Sequence, residues 1–366
     1  MNINSPKDII EILQNNPSKA VIEKILSFED ENKNFLFQAA AETKTKYIKN
    51  LVYFRGLIEY SNICRKNCFY CGIRRENENV CRYTLTDDEV LEAARYAYKE
   101  GFGSIAIQGG ELNSKAFCDK ITSLLNKINK ATDNRLGITL SLGEQTEEVL
   151  LEWKEAGARR YLLRIESSNR DLYAKIHPND SVHSYDERLK TLKILRKLDY
   201  QVGTGVMIGL PFQTYENVAE DILFFKDNDI DMIGLGPYIE HADTPLFQYR
   251  DILPPLKERF DLTLKTIAIL RVMQKDINMV ASTAMQAIDK NGREKALMAG
   301  ANIIMPNLTP TKYREDYLLY QNKPCIDEEA DDCKNCLAAR ITLAGDKIAY
   351  NEYGDSPHYF QRVKKN

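Results

Sequence analysis

Residues 52–75 read VYFRGLIEYSNICRKNCFYCGIRR. The first nine are an apolar run of β-branched and aromatic residues, as in a buried strand, and a polar loop with three cysteines follows directly. Cys64, Cys68 and Cys71 form a C-x3-C-x2-C triplet within eight residues. Thiolates this close can hold three irons of a cubane 4Fe–4S cluster and leave the fourth iron without a protein ligand. Structural zinc normally takes four protein ligands, and a purely electron-carrying 4Fe–4S cluster takes four cysteines. A triplet suits a cluster whose open iron binds a small molecule. S-adenosylmethionine (SAM), which chelates through its amino and carboxylate groups, is such a ligand and a source of radical chemistry. Structural zinc and unligated thiols are the alternatives.

Outward from this stretch, short apolar runs alternate with amphipathic segments, the pattern of βα units on a parallel sheet. The expected strands are 52–60, 103–108, 136–141, 160–165, 201–208, 232–236, 279–283 and 302–305. Helices are expected over 87–99, 114–128, 146–156, 184–197, 215–228, 256–273 and 292–299. Thr86, with Glu89 three positions on, forms a capping box before the first of these. Eight strands and seven intervening helices predict an α/β fold, a complete (β/α)8 TIM-type barrel over residues 51–308. A helical lead-in (1–50) precedes it and a C-terminal extension with a cysteine-containing loop (309–366) follows it.

The composition bounds the function. The chain has 366 residues, 43% of them hydrophobic, enough for a large core, and barrels of this size occur as one domain. Its net charge is 50 − 53 = −3 with no block of like charge, which argues against nucleic-acid binding. No apolar run approaches the ~18–20 residues of a membrane span. The first residues, MNINSPKDIIEILQNN, lack the apolar stretch of a signal peptide. Eight cysteines without an export signal read as metal binding in a cytoplasmic protein.

Barrel active sites lie at the C-terminal strand ends, and all eight expected ends carry polar, Gly or Pro residues. Gln108-Gly109-Gly110-Glu111 follows the second strand, where glycines allow close backbone approach to a ligand; a plain βα turn would use them too. Thr139 and Ser141 share one face of the third strand and suit a polar ligand or ordinary barrel packing. Arg164 and Glu166 are two apart, so they share a face. They form either a site pair or a structural ion pair, with Arg188 as a further partner. Cys325-x7-Cys333-x2-Cys336 is a second trio, in an acidic loop. It suits a second iron–sulfur cluster (2Fe–2S or 4Fe–4S), with zinc completed by His358, or no metal, as alternatives. Cys81 and Cys118 are expected to be spectators. The four histidines show no paired metal spacing, and only His241 is expected near the barrel mouth.

The triplet, with Tyr70 before its last cysteine, resembles the signature of the radical SAM superfamily. That resemblance makes Gln108–Glu111 the motif that binds the amino end of SAM. Glu166 becomes an acceptor for the ribose hydroxyls and Arg164 or Arg188 a carboxylate clamp. GVMIGLP (205–211) resembles the fifth-strand motif that packs on adenine, through Met207, and MIGLGP (232–237) offers a similar platform headed by Met232.

A closer resemblance runs over nearly the whole chain, to the HydE family of FeFe-hydrogenase maturases. It is carried by residues 59–89, TLSLGE (139–144), RRYLLRIE (159–166), GVMIGLPFQT (205–214), DMIGLGPYIEHADTPL (231–246), ASTAM (281–285), ANIIMPNLTP (301–310) and the second cysteine trio. It departs where relatives read RHE and this chain has Arg164-Ile165-Glu166, and by a serine in ASTAM. The family implies a 5′-deoxyadenosyl radical acting on a cysteine-containing small iron complex during assembly of the di-iron site. It further implies the maturases HydG and HydF as partners and an electron donor such as flavodoxin or ferredoxin. Arg160, Thr139, Ser282, Thr283, Met305 and Tyr317 would line the substrate cavity, with Arg160 as carboxylate clamp.

Other classes fit less well. A radical SAM amino-acid mutase of the methylornithine synthase type is the nearest alternative, but it is not expected to carry the C-terminal trio. A biotin-synthase-like sulfur inserter would need further cysteines at strand ends. A non-catalytic scaffold would need none of the SAM motifs.

Overall fold

The structure, a computed structural model, describes residues 3–328 and 330–364, without the side chains of residues 332 and 333. Helices Pro6–Gln14, Lys19–Leu26 and Asp30–Ile48 form the lead-in. Ser5 and Ser18 start the first two by accepting the N–H of Asp8 and Val21, donors that the first helical turn cannot satisfy itself. The lead-in packs outside the sheet, along helices Tyr215–Asp227 and Leu256–Met273.

Eight parallel strands follow: β1 Leu51–Ser61, β2 Ser104–Gly109, β3 Gly137–Ser141, β4 Ala158–Leu162, β5 Gln201–Thr204, β6 Met232–Ile233, β7 Asn278–Met279 and β8 Ile303–Ile304. Their hydrogen-bonded order is β8-β1-β2-β3-β4-β5-β6-β7, an open parallel half-barrel as a ladder. The gap between β7 and β8 is crossed by one parallel bridge, Val280 to Ile303. Two 2.9 Å hydrogen bonds flank it, Asn302 N–H to the Met279 carbonyl and Ala281 N–H to the Ile303 carbonyl.

The later strands are shorter than the sequence reading. β6 stops because the Gly234 carbonyl accepts from Arg164, and the expected 279–283 strand is cut to β7, its last residue Thr283 opening a helix at Thr283–Ile288. Pro306, without an N–H, follows β8 closely. The expected 201–208 strand splits into β5 and Met207–Ile208, which pairs with Gly236–Pro237. The C-terminal extension carries a helix at Ala330–Leu343 and a further helix at Pro357–Val363.

The chain end returns to the sheet. Lys347–Ile348 pairs with Leu51 and Val52 of β1. Residues 353–356 then cover the N-terminal strand ends. Asp355 pairs with Arg159 and Arg160 and accepts from Gln201, and the Gly354 carbonyl accepts from Asn278 and Arg55. This segment is the floor of the sheet, opposite the cysteine loop.

Candidate active site

β1 ends in a register irregularity between Glu59 and Ser61, which turns the chain out of the sheet into the cysteine loop. The Ser61 carbonyl accepts Gly110 N–H at 2.7 Å, and Ser61 forms an antiparallel bridge with Thr84 as the loop returns. One side chain ties the loop together: Arg82 donates to the carbonyls of Asn62, Ile73, Arg74, Arg75 and Asn77. Asn62 is buried and adds bonds to Cys81, Tyr83 and Asp316. A side chain at Gly110 would place Cβ 2.2 Å from the Ile63 carbonyl oxygen, so this glycine lets the second strand end lie against the loop.

The three cysteines open onto a cavity of about 330 Å³. The Cys64 Sγ accepts from the backbone N–H of Lys66 and Glu111, at 3.4 and 3.3 Å. Burial raises all three thiols, Cys68 to about 12; the charge of Glu111 adds to this at Cys64 and Cys68, and the neighbouring sulfurs at Cys71. Thiols this buried ionise beside a strong cation, as an iron cluster provides. Among the described residues no three His, Cys, Asp or Glu side chains converge on the dimensions of one metal ion. Three sulfurs on one cavity wall, with backbone donors already directed at one of them, fit the ligand set of a cluster.

Beside the triplet lies a buried charge cage. Arg188 donates to both oxygens of Glu111 at 3.0 and 3.1 Å and lies 3.0 Å from Glu144. Lys66 donates to Glu144 at 2.8 Å and lies 3.4 Å from Glu111. Burial opposes the Glu111 charge, but Arg188 and Lys66 hold its carboxyl well below the usual range. Two cations and two carboxylates thus balance where isolated charges would be costly. The next strand end adds a forked pair: Arg164 Nε and Nη2 donate to the two Glu166 oxygens, both at 2.8 Å. Arg164 also holds the carbonyls of Gly234 and Val206.

The far wall is polar. Lys323 pairs with Glu59 and donates to the Tyr317 carbonyl at 2.9 Å. Asn307 donates to Glu59, Gln108 to the Tyr317 hydroxyl, and Tyr320 to Thr283. The Ser282 hydroxyl is buried and has no hydrogen-bond partner.

Most of the expected site residues meet in this cavity. Its lining includes Tyr70, Gln108, Gly109, Gly110, Glu111, Ser141, Arg164, Glu166, Arg188, Met207, Ser282, Thr283, Met305, Tyr317 and the three cysteines. Three expected residues do not line it. Arg160 is fully buried, but its guanidinium reaches the Tyr353 carbonyl and Asp355 on the floor. Thr139 pairs in register with Arg160, a layer below Ser141. Met232 begins β6, and its sulfur accepts from Arg55 in the same lower layer. The strand-end arginine of the cavity on this side is Arg164.

The second trio is also placed differently. Cys325, expected with the other two in one acidic loop, lines the cavity and accepts from Arg293. Cys336 is exposed and accepts from Arg340, which also pairs with Glu294 beside Arg293. The Cys333 side chain lies outside the described residues. His358 is remote from this trio, bound between Asp229 and Asp276. His241 packs against Gly72 behind the loop. The sequence reading passed over Lys66, Glu144, Glu59, Lys323, Arg82, His177 and His183. Lys66 alone carried a local signal, a charge inside a loop of metal-binding cysteines.

The profile of the Radical SAM superfamily matches residues 58–225. The chain is 41% identical over 359 residues to the [FeFe] hydrogenase maturase subunit HydE of Thermotoga maritima, covering 98% of this chain and 99% of that protein. It is 26% identical over 320 residues to 3-methylornithine synthase of Methanosarcina acetivorans, covering 86% and 85% of the two. Among solved structures, methylornithine synthase superposes with a TM-score of 0.79 at 25% identity, over 94% of this chain and 97% of that one. The hydrogenase maturase HydG shares the fold, with a TM-score of 0.78 at 20% identity, over 99% and 81%. With the cysteine triplet, the GGE turn and the Arg164–Glu166 pair on one cavity, and near end-to-end identity of 41%, the chain belongs to the HydE family of radical SAM enzymes.

Proposed function

We propose that the chain binds a 4Fe–4S cluster through Cys64, Cys68 and Cys71 and cleaves SAM. We propose further that it acts on a cysteine-containing small iron complex in assembly of the FeFe-hydrogenase di-iron site. The observation that carries this reading is the single cavity running from the cysteine triplet to the polar far wall. A SAM-bound cluster supplies one-electron reductive cleavage of SAM. The chain's own residues do the rest. Gly109 and Gly110 admit the amino end of SAM against the backbone, Glu166 accepts from the ribose, and Met207 offers an apolar contact for adenine. Arg188 and Lys66 keep Glu111 ionised beside the cluster. Ser282, Thr283, Met305, Tyr317 and Lys323 would receive the anionic, cysteine-like substrate.

In this reading the Val280–Ile303 bridge closes the sheet as a (β/α)8 barrel over 51–308, with the lead-in packed outside it and the C-terminal extension capping it, through Tyr317 and Lys323 at the cavity and residues 353–356 at the floor. The second trio holds an accessory cluster, HydG and HydF are functional partners, and a flavodoxin or ferredoxin supplies electrons in the cytoplasm. Changing Cys325, Cys333 and Cys336 together to Ala is expected to lower bound iron while retaining SAM cleavage. Loss of cleavage with the first cluster intact would place the trio in the radical chemistry. The deciding experiment is an anaerobic maturation mixture lacking only HydE, in which this protein restores hydrogenase activity. Conversion of lysine to methylornithine by the purified protein, without such restoration, would install the mutase reading instead.

A further inference from the structure

We propose that the segment from Tyr173 to His183 is a clasp that sets the cluster-binding geometry of the cysteine loop, with His177 and His183 as positioning residues. The inference rests on the reading that Cys64, Cys68 and Cys71 hold a cluster. Three consecutive anchors tie this segment to the stretch between those cysteines. Asn67 N–H donates to His183 Nε2 at 2.8 Å, Phe69 N–H to the Ile176 carbonyl at 3.0 Å, and the Tyr70 hydroxyl to His177 Nε2 at 3.2 Å.

The tautomers follow from the other ring nitrogens. His177 Nδ1 faces the Tyr173 carbonyl at 2.9 Å and His183 Nδ1 faces the Asp180 carboxylate at 2.7 Å. Both partners are acceptors, so Nδ1 carries the proton and Nε2 presents its lone pair to the loop. Burial holds His177 neutral, its pKa depressed to about 3, and lowers His183 as well against the pull of Asp180. Tyr173 stacks on His177 at 4.0 Å, which fixes the ring plane. Neither imidazole lines the cavity, so both act through the loop.

The Asn67 and Phe69 amides lie between metal-binding cysteines, and a buried N–H left without an acceptor drives the backbone to rearrange. Without the clasp, Arg82 still gathers the loop from its other side, but its bonds reach Asn62 and residues 73–77 and none of 67–70. The Phe69 carbonyl also accepts Leu246 N–H at 3.0 Å, and Arg74 and Glu76 donate to the Asn67 side chain, so what the clasp alone holds is the Asn67 and Phe69 amides and the Tyr70 hydroxyl.

The test uses the full chain before and after anaerobic loading with iron and sulfide. In His183→Ala and His177→Phe, amide hydrogen exchange of the 64–71 peptide before loading should rise about tenfold, while peptides from β2 to β4 stay unchanged. After loading, iron release to an external chelator should accelerate, and the electron paramagnetic resonance spectrum of the reduced cluster should lose its response to added SAM. His183→Gln returns an acceptor oxygen and should recover both rates. Asp180→Ala, an exposed change that keeps the imidazole but frees its tautomer, should give an intermediate effect. Exchange and release at parental rates in His183→Ala and His177→Phe would overturn the proposal; should either fail to fold, parental rates in Asp180→Ala would do the same. If the parent takes up no iron, the cluster reading fails by itself, and the exchange measurement still decides whether the clasp holds the loop.

Discussion

Glu166 is held with φ at +64°, a left-handed conformation unusual for a residue with a long side chain. Its N–H donates to the Gly205 carbonyl, its own carbonyl accepts from Met207, and Arg164 grips both carboxylate oxygens. Strain held by its surroundings in this way gathers at functional positions. Glu166→Gln should weaken SAM binding about tenfold to a hundredfold, since a hydrogen bond to a charged group is worth ~1.5–3 kcal/mol. Calorimetry on the iron-loaded protein reads this directly, and unchanged affinity would reduce Glu166 to a partner for Arg164. Cys68→Ser should abolish SAM cleavage while far-UV circular dichroism stays that of the parent. Arg82→Ala should leave five carbonyls without their donor and lower iron uptake; uptake equal to the parent's would show that the loop holds without it. The triplet, the GGE turn and the Arg164–Glu166 pair were legible because each is local in sequence. Arg160 was misplaced because strand alternation gives a residue's face and not its depth. Arg160 and Arg164 share a face, yet four residues of strand separate them by roughly 13 Å, the distance from floor to mouth. Lys66, Glu144, His177 and His183 act on partners brought near only by the fold; Asn67 and His183 are 116 positions apart.

At the scale of elements, the boundaries that read well carry their own chemistry. Thr86 and Glu89 form the reciprocal capping box expected for the helix at Asp87–Lys99, and the helix at Leu256–Met273 keeps its expected bounds behind Pro255. The two-residue strands did not read well, because side chains and a helix start interrupt their ladders. The closing helix Pro357–Val363 was not anticipated; its attachment is ionic. His358 sits between Asp276 and Asp229, and Arg362 pairs with buried Asp231. The hydrogen bond to Asp276 raises the His358 pKa, burial opposes it, and Asp229 adds to the rise. A histidine raised above its unfolded value of about 6.5 contributes its full stabilisation below that pH and loses it as pH climbs through the folded value. Thermal melts should therefore show His358→Gln destabilised at pH 6 and near the parent at pH 9. An equal deficit at both would mean that His358 acts through packing and neutral hydrogen bonds.

For the whole molecule, the floor changes what Arg160 does. Burial lowers its pKa to about 10 against the pull of Asp355, and Arg55 nearby carries the same sign of charge. Removing one partner of a buried pair usually costs ~3–5 kcal/mol. Arg160→Ala should lie at or below the low end of that range, because Asp355 keeps Arg159 and Arg55 loses a like neighbour. Urea unfolding should show the loss, with SAM affinity unchanged; weakened SAM binding at full stability would return Arg160 to the site. The resemblance to the family conveyed which strands carry the site, whereas the sealing of the floor by residues 353–356 depends on contacts no motif records. That return of the chain also bears on synthesis. β1 pairs with β8 and with Lys347–Ile348. Its first neighbour on that side is translated some 250 residues later and its second nearly 300. At ~5–20 residues per second, β1 waits on the ribosome for roughly a quarter of a minute to a minute with one edge unpaired. An apolar parallel edge of that lifetime is a natural client for chaperones, and the nascent chain would be most prone to aggregation just before its last fifth emerges.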